Sequence, residues 1–158
     1  MANQKKNVFI SHIHKDDEGL GKLKDLLSKN GMDVSDYSIT SDKPNNAKDP
    51  DYIKSQILSP QIDKCSTMVV YITPETKDSE WVNWEIEAAH KMDKTIVGVW
   101  ENGSKGCEVP EALKKFGDAI VGWTGDNIID AINGEYHQFD NPDGSPSGST
   151  PITRHPCN

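Results

Sequence analysis

The stretch SEWVNWEIEAAH, Ser79 to His90, reads as a helix whose two glutamates, Glu85 and Glu87, cannot share a face. Wound at ~100° per residue from Trp81, it puts Met92, Glu85, Ala89, Val82 and Ile86 along one arc, with Ala88 at its edge. Asn83, Glu87, His90 and Lys91 fall on the opposite arc. Glu87 is where a helix should carry a charge. Glu85 stands among apolar side chains, one turn after Trp81. A carboxylate there either escapes along the helix edge to solvent or is held in a pocket for chemistry. The chemistry open to it is proton transfer or the stabilisation of positive charge.

The elements around this helix decide what it can face. NVFIS (7–11) reads as a short buried strand. DDEGLGKLKDLLSKN is an amphipathic helix with leucines at 20, 23 and 27, Asp16 or Asp17 as cap and Gly31 as terminator. MDVSDYSI (32–39) is a weaker second strand. SDKPNNAKDPD (41–51) is a polar loop, long enough to suggest a function. YIKSQILSPQIDKC carries a short helix that Pro60 interrupts. STMVVYIT (66–73) is the clearest strand. TIVGVW (95–100) and DAIVGW (118–123) are further strands, with helices at PEALKKF and DNIIDAIN. Strand and helix alternate, and the strands are almost continuously apolar. That pattern predicts an α/β domain, a five-stranded parallel sheet with helices on both faces, over residues 1–133. Residues 134–158, rich in Pro, Gly and Ser, read as an extended or disordered C-terminal tail.

In an open parallel sheet, ligands bind at the carboxyl ends of the strands. Ser11 and His12 end the first strand, Asp36 and Tyr37 the second, and Thr73 the third. The fold brings these ends and the Trp81–Glu85 helix toward one cleft. Ser11, His12, Asp36, Tyr37 and Trp81 are the expected substrate contacts, and Glu85 the catalytic group. Each has a plainer reading: backbone satisfaction for Ser11 and His12, core packing for Trp81 and Trp84. His12 and His14 with Asp16 and Asp17 resemble a metal set, but cap and solvated-loop roles explain them. No metal is expected. A receiver domain is excluded because Thr73 and Thr124 stand where it needs an aspartate and a lysine. A Rossmann or flavodoxin phosphate loop is excluded because no glycine-rich turn follows the first strand.

The 158 residues suit one domain with a real core. The 17 basic against 25 acidic residues give a net charge of −8, which argues against nucleic acid or an anionic membrane as partner. No apolar run reaches membrane-spanning length, and MANQKKNVFISH lacks a signal-peptide core. Three cysteines, Cys65, Cys107 and Cys157, are too few and scattered for a disulfide framework or a zinc site. A cytoplasmic location is the simplest expectation.

Two boxes then carry a resemblance. FISHIHKDDEGLGKLKDLL resembles the opening box of TIR domains. STMVVYITPETKDSEWVNWEIEAA resembles their third strand and following helix, with Ser79, Trp81 and Glu85 matching the family signature. Val82 replaces the usual cysteine, a packing change. The span 7–132 fits the TIR order, and the sequence is similar to the TIR-like protein of the Thoeris antiphage defence system. The resemblance implies a flavodoxin-like TIR fold. It also implies an enzyme in which Glu85 cleaves the nicotinamide–ribose bond of NAD⁺, a substrate and not a bound cofactor, with Trp81 stacking on the pyridinium. As hydrolase or cyclase, it would respond to a phage-derived trigger and release a cyclic ADP-ribose isomer to a separate effector. It would self-associate through TIR surfaces. A non-enzymatic TIR interaction module and a nucleoside deoxyribosyltransferase-like enzyme remain the alternatives.

Overall fold

Apolar runs become strands, and the amphipathic stretches between them become helices. The computed structural model describes residues 4–12, 17–36, 59–101, 103 and 106–141, with their side chains except at 4, 5, 17, 18, 35 and 36. In chain order come β1 (Gln4–Ser11), α1 (Asp17–Lys29), β2 (Met32–Asp36), α2 (Ser59–Asp63) and β3 (Thr67–Ile72). A 3-10 turn (Thr76–Asp78) leads into α3 (Glu80–Lys91). Then follow β4 (Thr95–Trp100), α4 (Glu111–Phe116), β5 (Ala119–Val121) and α5 (Gly125–Ile132). The strands form one sheet in the order β2-β1-β3-β4-β5. Every pairing is parallel. This is the flavodoxin-like doubly wound order, whose switch point lies between β1 and β3.

Strand parity divides the core in two. Phe9, Met68, Val70, Ile72, Ile96 and Ile120 point to the α2–α3–α4 side. Val8, Ile10, Val69, Val97, Val99 and Val121 point to the α1–α5 side. Both faces are covered, so both sets of positions are apolar. The register aligns Ser11, Val70, Gly98 and Ile120 in one row across the sheet. Gly98 keeps that row low. A Cβ there would stand 2.9 Å from Leu113 Cδ2 and 3.0 Å from Ile72 Cδ1. Leu113 and α4 pack directly on the strand as a result. Gly31, with φ 99°, takes the left-handed turn that separates α1 from β2.

Three expectations need correction. β1 starts at Gln4, not at 7. In the described part of the second helical segment, Pro60 stands in the first turn of α2, where its missing N–H costs no hydrogen bond, and it does not interrupt that helix. The tail does not begin at 134. Ile120 N–H donates to the Gln138 carbonyl at 3.1 Å, and Asp140 N–H donates to the Ile120 carbonyl at 2.7 Å. Phe139 pairs with Ile120 in a parallel bridge. Phe139 and Asp140 are 7% and 2% exposed. Residues 134–141 therefore belong to the domain and cover the free edge of β5. Positions 142–158, the 41–51 loop and Tyr37 lie outside the described residues.

Candidate active site

The helix α3 is set in place by short polar contacts. After β3, the Thr76 hydroxyl donates to the Tyr71 carbonyl at 3.2 Å and accepts from Thr73 N–H at 2.9 Å. The Thr73 and Thr76 hydroxyls also meet at 2.9 Å. This buried knot turns the chain from the sheet into the 3-10 turn. Ser79 then caps α3, its Oγ accepting from Val82 N–H at 3.1 Å. With the start fixed, the helical period fixes the faces. Val82, Glu85, Ile86, Ala88 and Ala89 are buried, while Glu87, His90 and Lys91 are exposed. The two glutamates separate as their positions on the helix require.

Glu85 is fully buried, at 0% exposure. Ser11 Oγ donates to its Oε1 at 2.7 Å, across 74 residues of sequence. Ser11 is also fully buried. It shares strand parity with Phe9, so its side chain points to the α3 side of the sheet. The contact sits at the carboxyl end of β1, beside the switch point. His12 follows, 1% exposed, with Nδ1 at 2.9 Å from the Ile10 carbonyl. A carbonyl only accepts, so Nδ1 carries a proton and the ring is turned back onto its own strand.

The other expected contacts divide. Trp81 is half-buried one turn before Glu85 and packs against the α3-side core. Trp84 does the same. Asp36 ends β2 but pairs with Val8, three residues short of Ser11. At a rise of about 3.3 Å per residue, the Asp36 backbone sits roughly 10 Å behind the Ser11 level. The strand-end rule overestimated its reach because the register of β1 and β2 is staggered. Ser11 and Glu85 are thus joined by geometry, with His12 adjacent. The sequence reading missed Thr73, Thr76 and Asn83 as supporting residues. Their signals were a T-x-x-T spacing after a strand and an asparagine in a helix interior, where it is intrinsically disfavoured.

The remaining nucleophile candidates are inert. Cys65 is buried and donates its thiol to the Gln61 carbonyl. Burial, then the charge of Glu101, pushes the Cys107 thiol upward, which disfavours the thiolate. Among the described residues no cluster of His, Cys, Asp and Glu could hold a metal. No helix among them is long and apolar enough to cross a membrane.

A flavodoxin-like parallel sheet with one buried, hydroxyl-bound carboxylate on the helix after β3 defines a TIR-like α/β domain. The family model described as Thoeris protein ThsB, TIR-like domain, matches residues 9–106, more than half of the chain. The chain belongs to that family, and with it comes a defence-related role. No curated protein matches the sequence. Among solved structures, it is similar to the Clostridium botulinum CMP N-glycosidase BcmB, at 19% identity and a TM-score of 0.41, covering 60% of this chain and 71% of that one. A conserved protein from Enterococcus faecalis V583 aligns at 13% identity and a TM-score of 0.40, covering 88% and 82%. At these scores neither bears on the chemistry.

Proposed function

We propose that this protein cleaves the nicotinamide–ribose bond of NAD⁺, with Glu85 as the catalytic group. The observation that carries the reading is the buried Ser11–Glu85 hydrogen bond at the carboxyl end of β1. The leaving group explains why one carboxylate is enough. Nicotinamide departs as a neutral molecule from a cationic pyridinium, so no acid has to protonate it. Ordinary glycosidases use a second carboxyl partly for that task. As the bond breaks, positive charge grows on the ribose. A carboxylate held in a low-dielectric site stabilises that charge without reorganising. Ser11 holds one of its oxygens, which fixes the plane of the group. Trp81, one turn earlier, is the stacking surface for the pyridinium.

The ribosyl cation is then captured. Water gives ADP-ribose, whereas an adenine nitrogen or a ribose hydroxyl of the same molecule gives a cyclic isomer. In our reading the cyclic product is the signal. A phage-derived trigger starts the reaction in the cytoplasm, and a separate effector receives the diffusible nucleotide. Self-association accompanies activation, and NAD⁺ is a substrate, with no bound cofactor.

The test incubates the purified chain with NAD⁺ and, separately, with deoxynucleosides, in the presence and absence of lysate from phage-infected cells. Mass spectrometry follows the released base and the nucleotide. Nicotinamide release that is lost in Glu85→Gln supports the proposal. Base release from deoxynucleosides alone would make it a deoxyribosyltransferase-like enzyme. Silence under every condition would favour a non-enzymatic interaction module.

A further inference from the structure

We propose that Asn83 is a positioning residue for Glu85, acting from the opposite side of α3. The two residues are two apart in sequence, so they project about 200° from one another around the helix. Asn83 lies on the polar arc, where a solvated side chain is the default. The structure gives it a different task. Its Oδ1 accepts from Ala112 N–H at 3.0 Å. Its Nδ2 donates to the Ser79 carbonyl at 3.0 Å and to the Lys77 carbonyl at 3.4 Å. Chemistry settles the orientation of the amide, because only its oxygen can accept from an N–H and only its nitrogen can donate to a carbonyl.

These contacts join three segments. Ala112 N–H belongs to the first turn of α4, where backbone donors lack intrahelical partners. The cap position of α4 is Pro110, which offers no side-chain acceptor. Asn83 supplies the acceptor from another helix. Its other hand holds the 3-10 turn and the cap of α3. Helix α4 is itself seated on the sheet through Leu113 over Gly98. Asn83 therefore references α3 to the sheet through α4. Ser11 references it to the sheet through Glu85. A helix tied on two opposite sides cannot roll about its axis, and its roll is what sets where the Glu85 carboxylate points. A carboxylate displaced by about 1 Å loses on the order of a hundredfold in rate.

The test uses Asn83→Ala in the full chain, with a stability arm and an activity arm. In the stability arm, melting temperatures are measured for Asn83→Ala, Ser11→Ala and the double variant. If Asn83 acts through the Ser11–Glu85 contact, the double variant loses less than the sum of the single losses. Asn83→Ala combined with Ser28→Ala, on distant α1, should show simple addition. The activity arm rests on the proposed NAD⁺ cleavage. There kcat should fall roughly tenfold or more while KM stays within about twofold, since the binding surface is untouched. Should Asn83→Ala fail to fold, Asn83→Asp takes its place. It keeps an acceptor for Ala112 N–H but loses the donor to α3. Additive melting shifts with an unchanged kcat would overturn the proposal. If the wild-type chain consumes no NAD⁺, the stability cycle alone decides it, and only the functional reading fails.

Discussion

At the scale of single residues, the pair Glu85 and Glu87 is an internal control. Both sit on α3, one fully buried and bonded to Ser11, the other exposed. Glu85→Gln preserves shape, and its amide oxygen can still accept from Ser11. It removes the negative charge. The rate of nicotinamide release should drop at least ~100-fold, about 3 kcal/mol of transition-state stabilisation. The melting temperature should stay within a few degrees. Glu87→Gln should change neither quantity, and equal rates in the two variants would remove Glu85 from the mechanism. Ser11→Ala leaves a buried carboxylate one donor short, at a cost of about 1–3 kcal/mol in stability. It should lower kcat more than it alters KM, which separates a group that orients Glu85 from one that binds substrate. The inward placement of Glu85 was readable from helical period alone. Its partner was not, because Ser11 lies 74 residues away and only the crossover between β1 and β3 brings them together. The parity of Ser11 with Phe9 was the available clue.

At the scale of elements, the apolar runs TMVVYI and TIVGVW left little doubt about β3 and β4, since no other element buries six consecutive residues at strand length. Residues 134–141 were unreadable for the converse reason. Phe139 and Asp140 are neighbours and both are buried, which fits no period, and their burial depends on the exposed edge of β5. What seals that segment is polar. Trp100 Nε1–H donates to the Asp140 carbonyl and Gln138 Nε2 to its Oδ1, each at 2.8 Å. The Tyr136 hydroxyl donates to Asp140 Oδ2. Burial first, and the Asp140 carboxylate second, push the Tyr136 phenol up from 10.0 to about 12. A raised value in the folded state means the neutral phenol is favoured there. The stability it contributes is complete below about pH 10 and is lost as the pH rises toward 12. The wild-type melting temperature should therefore fall across that window. Tyr136→Phe should start lower at neutral pH and show a flatter decline. Parallel curves for the two proteins would show that the Tyr136–Asp140 contact does not stabilise the fold.

At the scale of the whole molecule, a doubly wound sheet leaves two weak edges, and the chain must deal with each. The β5 edge is covered by the segment ending at Asn141, which also completes the α3-side core with Phe139. Edge coverage of this kind prevents strand addition by other chains. The boundary of the folded unit therefore falls after Asn141, and truncation can locate it. A chain ending at Asn141 should melt within a few degrees of the full 158-residue protein, because both hydrophobic clusters close before that point. A chain ending at Asn133 loses the Phe139 side chain, worth about 1.5–3 kcal/mol of burial. It also exposes the backbone of Ile120 and strips Trp100 of its acceptor, at about 1–3 kcal/mol for an unmet buried donor. At about 2–4 °C per kcal/mol for a domain near this size, the shorter chain should melt on the order of 10 °C lower. It should also aggregate on heating, since β5 is then open. Calorimetry with light scattering on the three lengths distinguishes these outcomes. A large loss at the first truncation would move the domain boundary beyond Asn141, and no loss at the second would make the 134–141 segment dispensable.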